Sequence, residues 1–206
     1  MKTVFVNPER CIGCKQCQIA CAVEHSRSKN VYGAISESPT PRPRILVAPG
    51  LYLDTSFPNK CRHCDPAPCI AVCPTGAISR DSDLDIVLVD GLKCITCAMC
   101  AMVCPFDVLS FYPSPLLQIG KTVALKCDHC IERQREGQIP ACVEACKVGA
   151  LVFGELNELV KTARTRLSQS VSVAVGEIRP ELARLPSHID AWRGFGEALS
   201  RTGKEE

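Results

Sequence analysis

Short apolar runs, separated by polar or Pro-rich segments, make up the first 155 residues of the chain. Three of these runs consist of β-branched or aliphatic residues flanked by Gly, Pro or Asp, a pattern typical of short strands. They are residues 44–47, 85–89 and 121–125. The stretch 36–43, directly before the first run, is rich in Pro and Ser, and we interpret it as a surface loop that acts either as a spacer or as a docking loop.

A second pattern consists of four largely apolar tripeptides, each enclosed by two cysteines four positions apart. These tripeptides are residues 18–20, 70–72, 101–103 and 143–145. Residues i and i+4 share one face of a helix, so each tripeptide predicts a single helical turn that presents two sulfurs side by side. Such a turn can serve two neighbouring metal clusters.

The pattern changes after Phe153, beyond which no cysteine occurs. Residues 155–168 have helical composition, and residues 171–175 favour a strand. Further on, four large apolar residues recur near helical spacing: Ile189, Trp192, Phe195 and Leu199. We expect a partly helical extension over residues 156–206, which either packs on the rest of the chain or binds a partner or a membrane surface.

All sixteen cysteines fall into four groups of four. The groups are Cys11, Cys14, Cys17 and Cys21; Cys61, Cys64, Cys69 and Cys73; Cys94, Cys97, Cys100 and Cys104; and Cys127, Cys130, Cys142 and Cys146. A 4Fe-4S cube takes four thiolates, and Cys94 to Pro105 reproduces the bacterial ferredoxin run C-x2-C-x2-C-x3-C-P. The four groups therefore predict four 4Fe-4S clusters and an electron-carrying role.

The groups also form an internal repeat. Residues 73–78, 146–151 and, more loosely, 104–109 are copies in which an apolar residue stands five positions after the cysteine and predicts the start of a strand. Gly76 and Gly149 occupy the same position and suit either a tight turn or a close approach of the backbone to a cluster. Repeated modules of this kind predict ferredoxin-type units with two clusters each.

Composition and charge indicate which partners the chain can have and how it folds. The formal charge is +2, but sixteen thiolates and four cubes of formal charge about +2 would bring the loaded chain to roughly −6. No basic run stands out, which argues against a nucleic-acid partner. Aromatic residues are only 5% of the chain, so we expect folding to depend on cluster insertion.

The N-terminus leads from Met1 directly to Cys11, which leaves no space for a secretory apolar segment, and no stretch approaches the ~20 apolar residues of a membrane span. We therefore expect a cytoplasmic protein without a transmembrane segment, with peripheral binding to a membrane-bound complex left open.

The cysteines allow two other interpretations. A disulfide scaffold would need an oxidising compartment, and it gives no reason for four repeats of C-x2-C followed by C-x3-C. Structural zinc also uses C-x2-C pairs, and it fits best at Cys127, Cys130, Cys142 and Cys146, the most widely spaced group. His63 and His129 stand at equivalent places in two groups, where packing or a hydrogen bond toward sulfur is expected rather than ligation.

The sequence contains no G-x-G-x-x-G, G-x4-G-K-[ST] or G-x-S-x-G motif. Nicotinamide, ATP and acyl chemistry have no recognisable site. We expect a non-catalytic subunit whose substrate is turned over on another chain.

Residues 2 to 155 resemble the four-cluster ferredoxin-like electron-transfer subunits of the dimethyl sulfoxide reductase iron-sulfur type, through residues 11–17, residues 61–78 and the last two groups. The resemblance implies an α+β fold of two dicluster modules, with residues 1–30 and 120–155 in the first and 31–119 in the second. It also implies that groups one and four share clusters, as do groups two and three. The implied ligand sets are Cys11, Cys14, Cys17 and Cys146 (set A); Cys127, Cys130, Cys142 and Cys21 (set B); Cys61, Cys64, Cys69 and Cys104 (set C); and Cys94, Cys97, Cys100 and Cys73 (set D).

Within this family, residues 5–11, 20–26 and 57–61 are most similar to CooF-type proteins, the electron partners of nickel carbon monoxide dehydrogenase. This similarity implies a relay from carbon monoxide dehydrogenase to a hydrogenase or another acceptor. The alternative partner is a molybdenum or tungsten formate dehydrogenase, or a formate-linked hydrogenase complex, because the same cysteine sets would serve it.

Overall fold

The computed structural model describes residues 2–50, 55–113 and 120–174. Eight strands and seven α-helices, all but two of the helices six residues or shorter, lie in these ranges. The strands are β1 (Lys2–Val6), β2 (Ile45–Pro49), β3 (Ser56–Lys60), β4 (Ile78–Asp81), β5 (Ile86–Val89), β6 (Ser110–Pro113), β7 (Thr122–Leu125) and β8 (Leu151–Glu155). The helices are α1 (Gln16–Glu24), α2 (Val31–Ser36), α3 (Pro68–Ala71), α4 (Met99–Met102), α5 (Ile131–Arg135), α6 (Ala141–Glu144) and α7 (Leu156–Ala174), and a 3₁₀ turn covers Pro8–Arg10. The predicted α+β class is confirmed.

The strands pair into four antiparallel two-stranded sheets: β1 with β8, β2 with β3, β4 with β5, and β6 with β7. The first sheet closes the cysteine-bearing part of the chain, because Lys2 lies opposite Glu155 and Val6 opposite Leu151. The three strands predicted from apolar runs are β2, β5 and β7, each within one residue of the expected start. Strands β1 and β3 were not predicted.

The repeat places the strand starts as expected in two copies and one residue later in the third. Strands β4 and β8 begin five residues after Cys73 and Cys146, and β6 begins six residues after Cys104. Gly76 and Gly149 have φ values of 61° and 67°, and the equivalent residue of the third copy, Asp107, has φ 50°. All three copies thus use a left-handed residue to turn from the cysteine into the strand.

The four helical turns between the third and fourth cysteines are also confirmed. They are α3, α4, α6 and the longer α1. Helix α1 continues beyond Cys21 to Glu24, where the backbone N–H of His25 closes the last turn on the Cys21 carbonyl at 3.2 Å.

Two main hydrophobic clusters lie in the described, cysteine-bearing part of the chain. One joins Val4, Ile45 and Leu151 to buried cysteines. The other joins Ile78, Val87 and Val123, with neighbouring alanines, to Cys94 and Cys100. Strand β2 thus packs with β1 and β8, and β7 packs with β4 and β5. The module boundaries at residues 31 and 120 stay a prediction.

Residues 2–156 form one compact unit, and the second unit begins at Asn157. Helix α7 confirms the helix predicted from residue 155, but the strand predicted over residues 171–175 is wrong in its described part, because residues 171–174 continue the helix. No Gly or Pro interrupts residues 156–174, and adding a residue to an existing helix is far easier than starting a new element. The apolar residues from Ile189 to Leu199 lie outside the described residues. In the described ranges, no helix has the length and apolar character that crossing a bilayer requires.

Candidate iron-sulfur sites

The four cysteines of set A line one small cavity, and those of set D line another. In set A, burial and the neighbouring thiols of Cys146, Cys11 and Cys14 raise the pKa of Cys17 to about 11. Cysteines from distant parts of the sequence therefore converge, since Cys146 joins group one and Cys73 joins group three.

Set B is the most buried of the four, because all its cysteines lie in the interior. Cys21 lies close enough to Cys127 and Cys130 for their charges to interact, and Cys142 does so with the other three. Burial raises the pKa of Cys130 to about 12. Such thiols stay protonated at neutral pH unless a metal ion takes the place of the proton.

In set C, Cys69 interacts with Cys61 and Cys104. Cys64 is linked to this set through Arg62, whose guanidinium interacts with both Cys61 and Cys64.

The sets follow one another in the order A, B, C, D. Helix α1 carries Cys17 of set A and Cys21 of set B one turn apart. Cys127 of set B interacts with Cys61 of set C, and Cys100 of set D interacts with Cys69 of set C. The exposed cysteines are Cys14 and Cys97, one in each terminal set.

Backbone amides point at many of the sulfurs. The N–H groups of Arg44, Ala124 and Leu151 donate to the Sγ atoms of Cys21, Cys94 and Cys146 at 3.2–3.4 Å. The N–H groups of His63 and His129, both in left-handed conformation, donate to Cys61 and Cys127 at 3.4 Å. Hydrogen bonds to sulfur stabilise the thiolate and are one of the ways in which a protein tunes a cluster.

Sets B and C meet at a buried polar junction formed by Lys60, Lys126, His63 and His129. The two imidazole rings lie 4.3 Å apart between centroids, at 35°. Burial and the neighbouring cations lower the pKa of both rings, that of His129 to about 3, so both are neutral at pH 7. The expected hydrogen bonds toward sulfur come from the backbone of these histidines, while their rings pack on each other.

Asp128 organises a second polar network next to set B. It accepts hydrogen bonds from Nε2 of His25 at 3.0 Å, from the Arg44 guanidinium and from the Cys130 N–H at 3.0 Å. Burial alone would raise the pKa of Asp128, but the His25 hydrogen bond and the Arg44 charge outweigh it and hold that pKa well below its usual range. His25, which contacts both Asp128 and Cys21, thus belongs to the surroundings of Cys21.

Two buried nitrogen atoms indicate whether the surroundings of sets B and C suit a cluster. In the described ranges, the buried side-chain polar atoms without a hydrogen-bond partner are Arg44 Nε and His63 Nε2. Both are donors: Arg has no acceptor, and His63 Nδ1 accepts from the Val87 N–H at 3.0 Å, which leaves the proton on Nε2. A buried donor without an acceptor costs about 1–3 kcal/mol, and cluster sulfur is an acceptor. The residues present therefore fit an iron-sulfur cofactor.

Residues 54–156, half of the chain, match the family model of the 4Fe-4S dicluster domain. The chain belongs to this family. Residues 8–24, which hold the first cysteine group, separately match a 4Fe-4S binding domain. The prediction that this dicluster protein binds 4Fe-4S clusters is confirmed, while the number of clusters and the ligand sets stay predictions.

Curated proteins similar to this dicluster chain include an "Iron-sulfur protein" of Rhodospirillum rubrum, 36% identical over 162 residues, which are 75% of this chain and 82% of that protein. Electron transport protein HydN of Escherichia coli (strain K12) is 34% identical over 76% of this chain and 89% of its own length. A tetrathionate reductase subunit of Salmonella typhimurium is 30% identical over 89% of this chain and 69% of its own length.

Proposed function

We propose that this dicluster protein is a non-catalytic electron-transfer subunit that holds four 4Fe-4S clusters in sets A to D. Bound 4Fe-4S clusters supply one-electron redox chemistry. The observation that carries the proposal is the serial order of the four sets, with an exposed cysteine in each terminal set. Such an order connects two separate surface points through the interior.

The residues beside the exposed cysteines support docking at both ends. The first cysteine of each group is followed by Ile12 in set A and by Ile95 in set D, and these side chains are 68% and 59% exposed. The equivalent residues in the interior sets are the charged Arg62 and Asp128. Exposed apolar side chains at the two ends suit contact with partner proteins.

A catalytic oxidoreductase subunit is the proposed partner at one end, and a hydrogenase or another acceptor at the other. Relatives named as an electron transport protein and as a reductase subunit support this class of partner. Nickel carbon monoxide dehydrogenase is the first candidate, on the CooF-like segments 5–11, 20–26 and 57–61 alone. Formate dehydrogenase is the second candidate.

The proposal is tested on anaerobically purified holoprotein. We expect about 16 Fe per chain and bleaching near 400 nm on reduction. Reduction by CO should require added carbon monoxide dehydrogenase, and formate with its dehydrogenase should reduce the clusters slowly or not at all. Reduction by formate with its dehydrogenase, and not by CO, would make formate dehydrogenase the first candidate partner. A stably folded chain with about four Fe or fewer would contradict the four-cluster relay.

Matched variants probe the two ends in the same assay. Ile12→Glu and Ile95→Glu should each slow transfer at one end only, by about tenfold, because a charge is placed in an apolar contact. Tyr32→Glu changes an exposed residue of α2 and serves as the control. Equal rates in all three variants would place the docking surfaces elsewhere.

A further inference from the structure

A basic residue directly precedes the first cysteine of every group: Arg10, Lys60, Lys93 and Lys126. The position is the same, but the surroundings differ. The residues Lys60 and Lys126, beside the interior sets, are 1% and 4% exposed. In contrast, the Lys93 side chain, beside terminal set D, is 63% exposed and pairs with Asp90 at 3.7 Å.

The two buried ammonium groups are held by protein acceptors. Nζ of Lys60 donates to the Cys61 carbonyl at 3.0 Å and to Nε2 of His129 at 3.2 Å. Nζ of Lys126 donates to the Cys127 carbonyl at 3.0 Å and to the Val87 carbonyl. No carboxylate is among these partners, so neither charge is neutralised by an acidic side chain through these bonds.

The charges act across the junction. Lys60 precedes a cysteine of set C. Burial lowers the pKa of its amine, but Cys127 and Cys142 of set B lie close enough to oppose this shift and favour the ammonium form. Lys126 precedes a cysteine of set B and interacts with Cys69 of set C. Thus each of these two lysines directly precedes one interior set and places its charge near the other interior set.

Adding an electron to a cluster adds negative charge, and burial opposes this because low dielectric penalises charge. A buried cation favours the reduced state for the same reason, and its effect is weakly screened. We propose that Lys60 and Lys126 raise the reduction potentials of the interior sets B and C above those of the terminal sets A and D. This inference rests on the proposed function, because it requires all four sets to hold clusters.

The test is an EPR-monitored redox titration of holoprotein at one pH. Lys60→Met and Lys126→Met keep the chain length and volume of the stem while removing the charge. Each should lower the equilibrium constant for reducing one interior cluster at least tenfold, a shift of about 59 mV for one electron. Lys60→Arg and Lys126→Arg, which keep the charge, should restore most of the lost potential.

Lys93→Met is the matched control, because it removes the cation at the same sequence position beside a terminal set. Its charge is exposed and screened, so we expect the equilibrium constant for reducing the set D cluster to change by less than about threefold. Fully loaded Lys60→Met and Lys126→Met proteins with unchanged potentials would overturn the inference. A shift of equal size in Lys93→Met would overturn it as well.

A measurement on the unmodified protein covers the case in which the methionine variants fail to load. In this measurement, a soluble paramagnetic dysprosium chelate is added at partial reduction, and it broadens the EPR signals of clusters near the surface. The clusters of sets B and C should be reduced first and broadened weakly. Those of sets A and D, which contain the exposed cysteines, should be reduced last and broadened strongly. Strong broadening of the first-reduced signals would overturn the inference. Failure of the proposed function is distinguishable, since iron content would then fall well below about 16 per chain.

Discussion

A single carboxylate, Asp128, ties together three segments that are far apart in the sequence. It binds His25 at the end of α1, Arg44 before β2 and the Cys130 N–H. Arg44 in turn donates its backbone N–H to Cys21. The position of a set B sulfur therefore depends on a side chain that is itself no ligand.

Asp128→Asn should be clearly destabilising, because it leaves the largely buried Arg44 cation without its counter-charge. Removing one partner of such a pair costs about 3 kcal/mol, which corresponds to a fall in the apparent unfolding midpoint of about 6–12 °C. The measurement is thermal unfolding of the loaded variant at pH 7, followed by circular dichroism.

Asp83→Asn is the control for this substitution. Asp83 is exposed in the turn between β4 and β5, and its partner there is the Ser82 hydroxyl at 3.3 Å. Exposed changes of this kind stay within about 0.5 kcal/mol. Equal midpoints for the two variants would show that the Asp128 network contributes no stability.

At the junction, the sequence pattern predicts a role for the histidines but not for the lysines. The repeat Lys60-Cys61-Arg62-His63-Cys64 and Lys126-Cys127-Asp128-His129-Cys130 is visible in the sequence, and it draws attention to the histidines. The same repeat does not predict buried lysines, because long basic side chains are almost always exposed and Lys93 at the same position is exposed. Their burial depends on the contact between two groups, which the sequence does not display.

At the scale of elements, helix α1 is shared by two ligand sets. Cys17 and Cys21 lie one turn apart on it, and the turn between them includes the Ile19 N–H, which bonds to the Lys15 carbonyl at 3.2 Å. Ile19 itself is exposed. The helix can therefore be broken without removing a buried side chain.

Ile19→Pro should release the iron of both sets A and B. Proline removes the bond to Lys15 and clashes with its carbonyl, at a cost of about 3 kcal/mol. We expect the iron content to fall by about half, from about 16 per chain, with the clusters of sets C and D retained. Iron analysis and EPR of the purified variant provide the measurement.

Ile19→Ala is the matched control, since it removes the same side chain and keeps the helix. This variant should load fully. A loss of about four Fe in Ile19→Pro, the content of one cluster, would contradict a helix shared between two sets.

Strands whose position is set by the cysteine repeat or by an apolar run were predictable, and strand β3, which depends on its pairing partner, was not. Ile78 and Leu151 begin strands because a fixed turn follows each cysteine, and the spacing is local. Strand β3 contains Pro58 and Asn59, which disfavour a strand, yet it pairs with β2 in full register from Lys60 to Ser56. Partner β2 supplies the context that overrides the propensity.

The whole unit of residues 2–156 has a core in which cysteines take the place of large apolar side chains. Each of the three hydrophobic clusters formed by the described residues contains buried cysteines. The largest fully buried side chains include Lys60 and His63 as well as the apolar residues Ile45, Ile86 and Val87. The junction between sets B and C is thus polar where an ordinary domain of this size would be hydrophobic.

Iron removal should therefore unfold this unit rather than leave an empty but folded chain. Metal-thiolate binding contributes on the order of 10 kcal/mol in structural sites, which is comparable with the whole stability of an ordinary domain. Without iron, the buried thiols, Lys60 and the unpaired Arg44 and His63 nitrogens would remain as costs with little apolar burial to offset them. Chelation under denaturant-free anaerobic conditions should abolish the cooperative thermal transition and the dispersion of amide proton signals, and reconstitution with iron and sulfide should restore both. Because α7 lies outside this unit, the decisive amide signals are those of β1 and β8, and their persistence in iron-free protein would contradict the prediction.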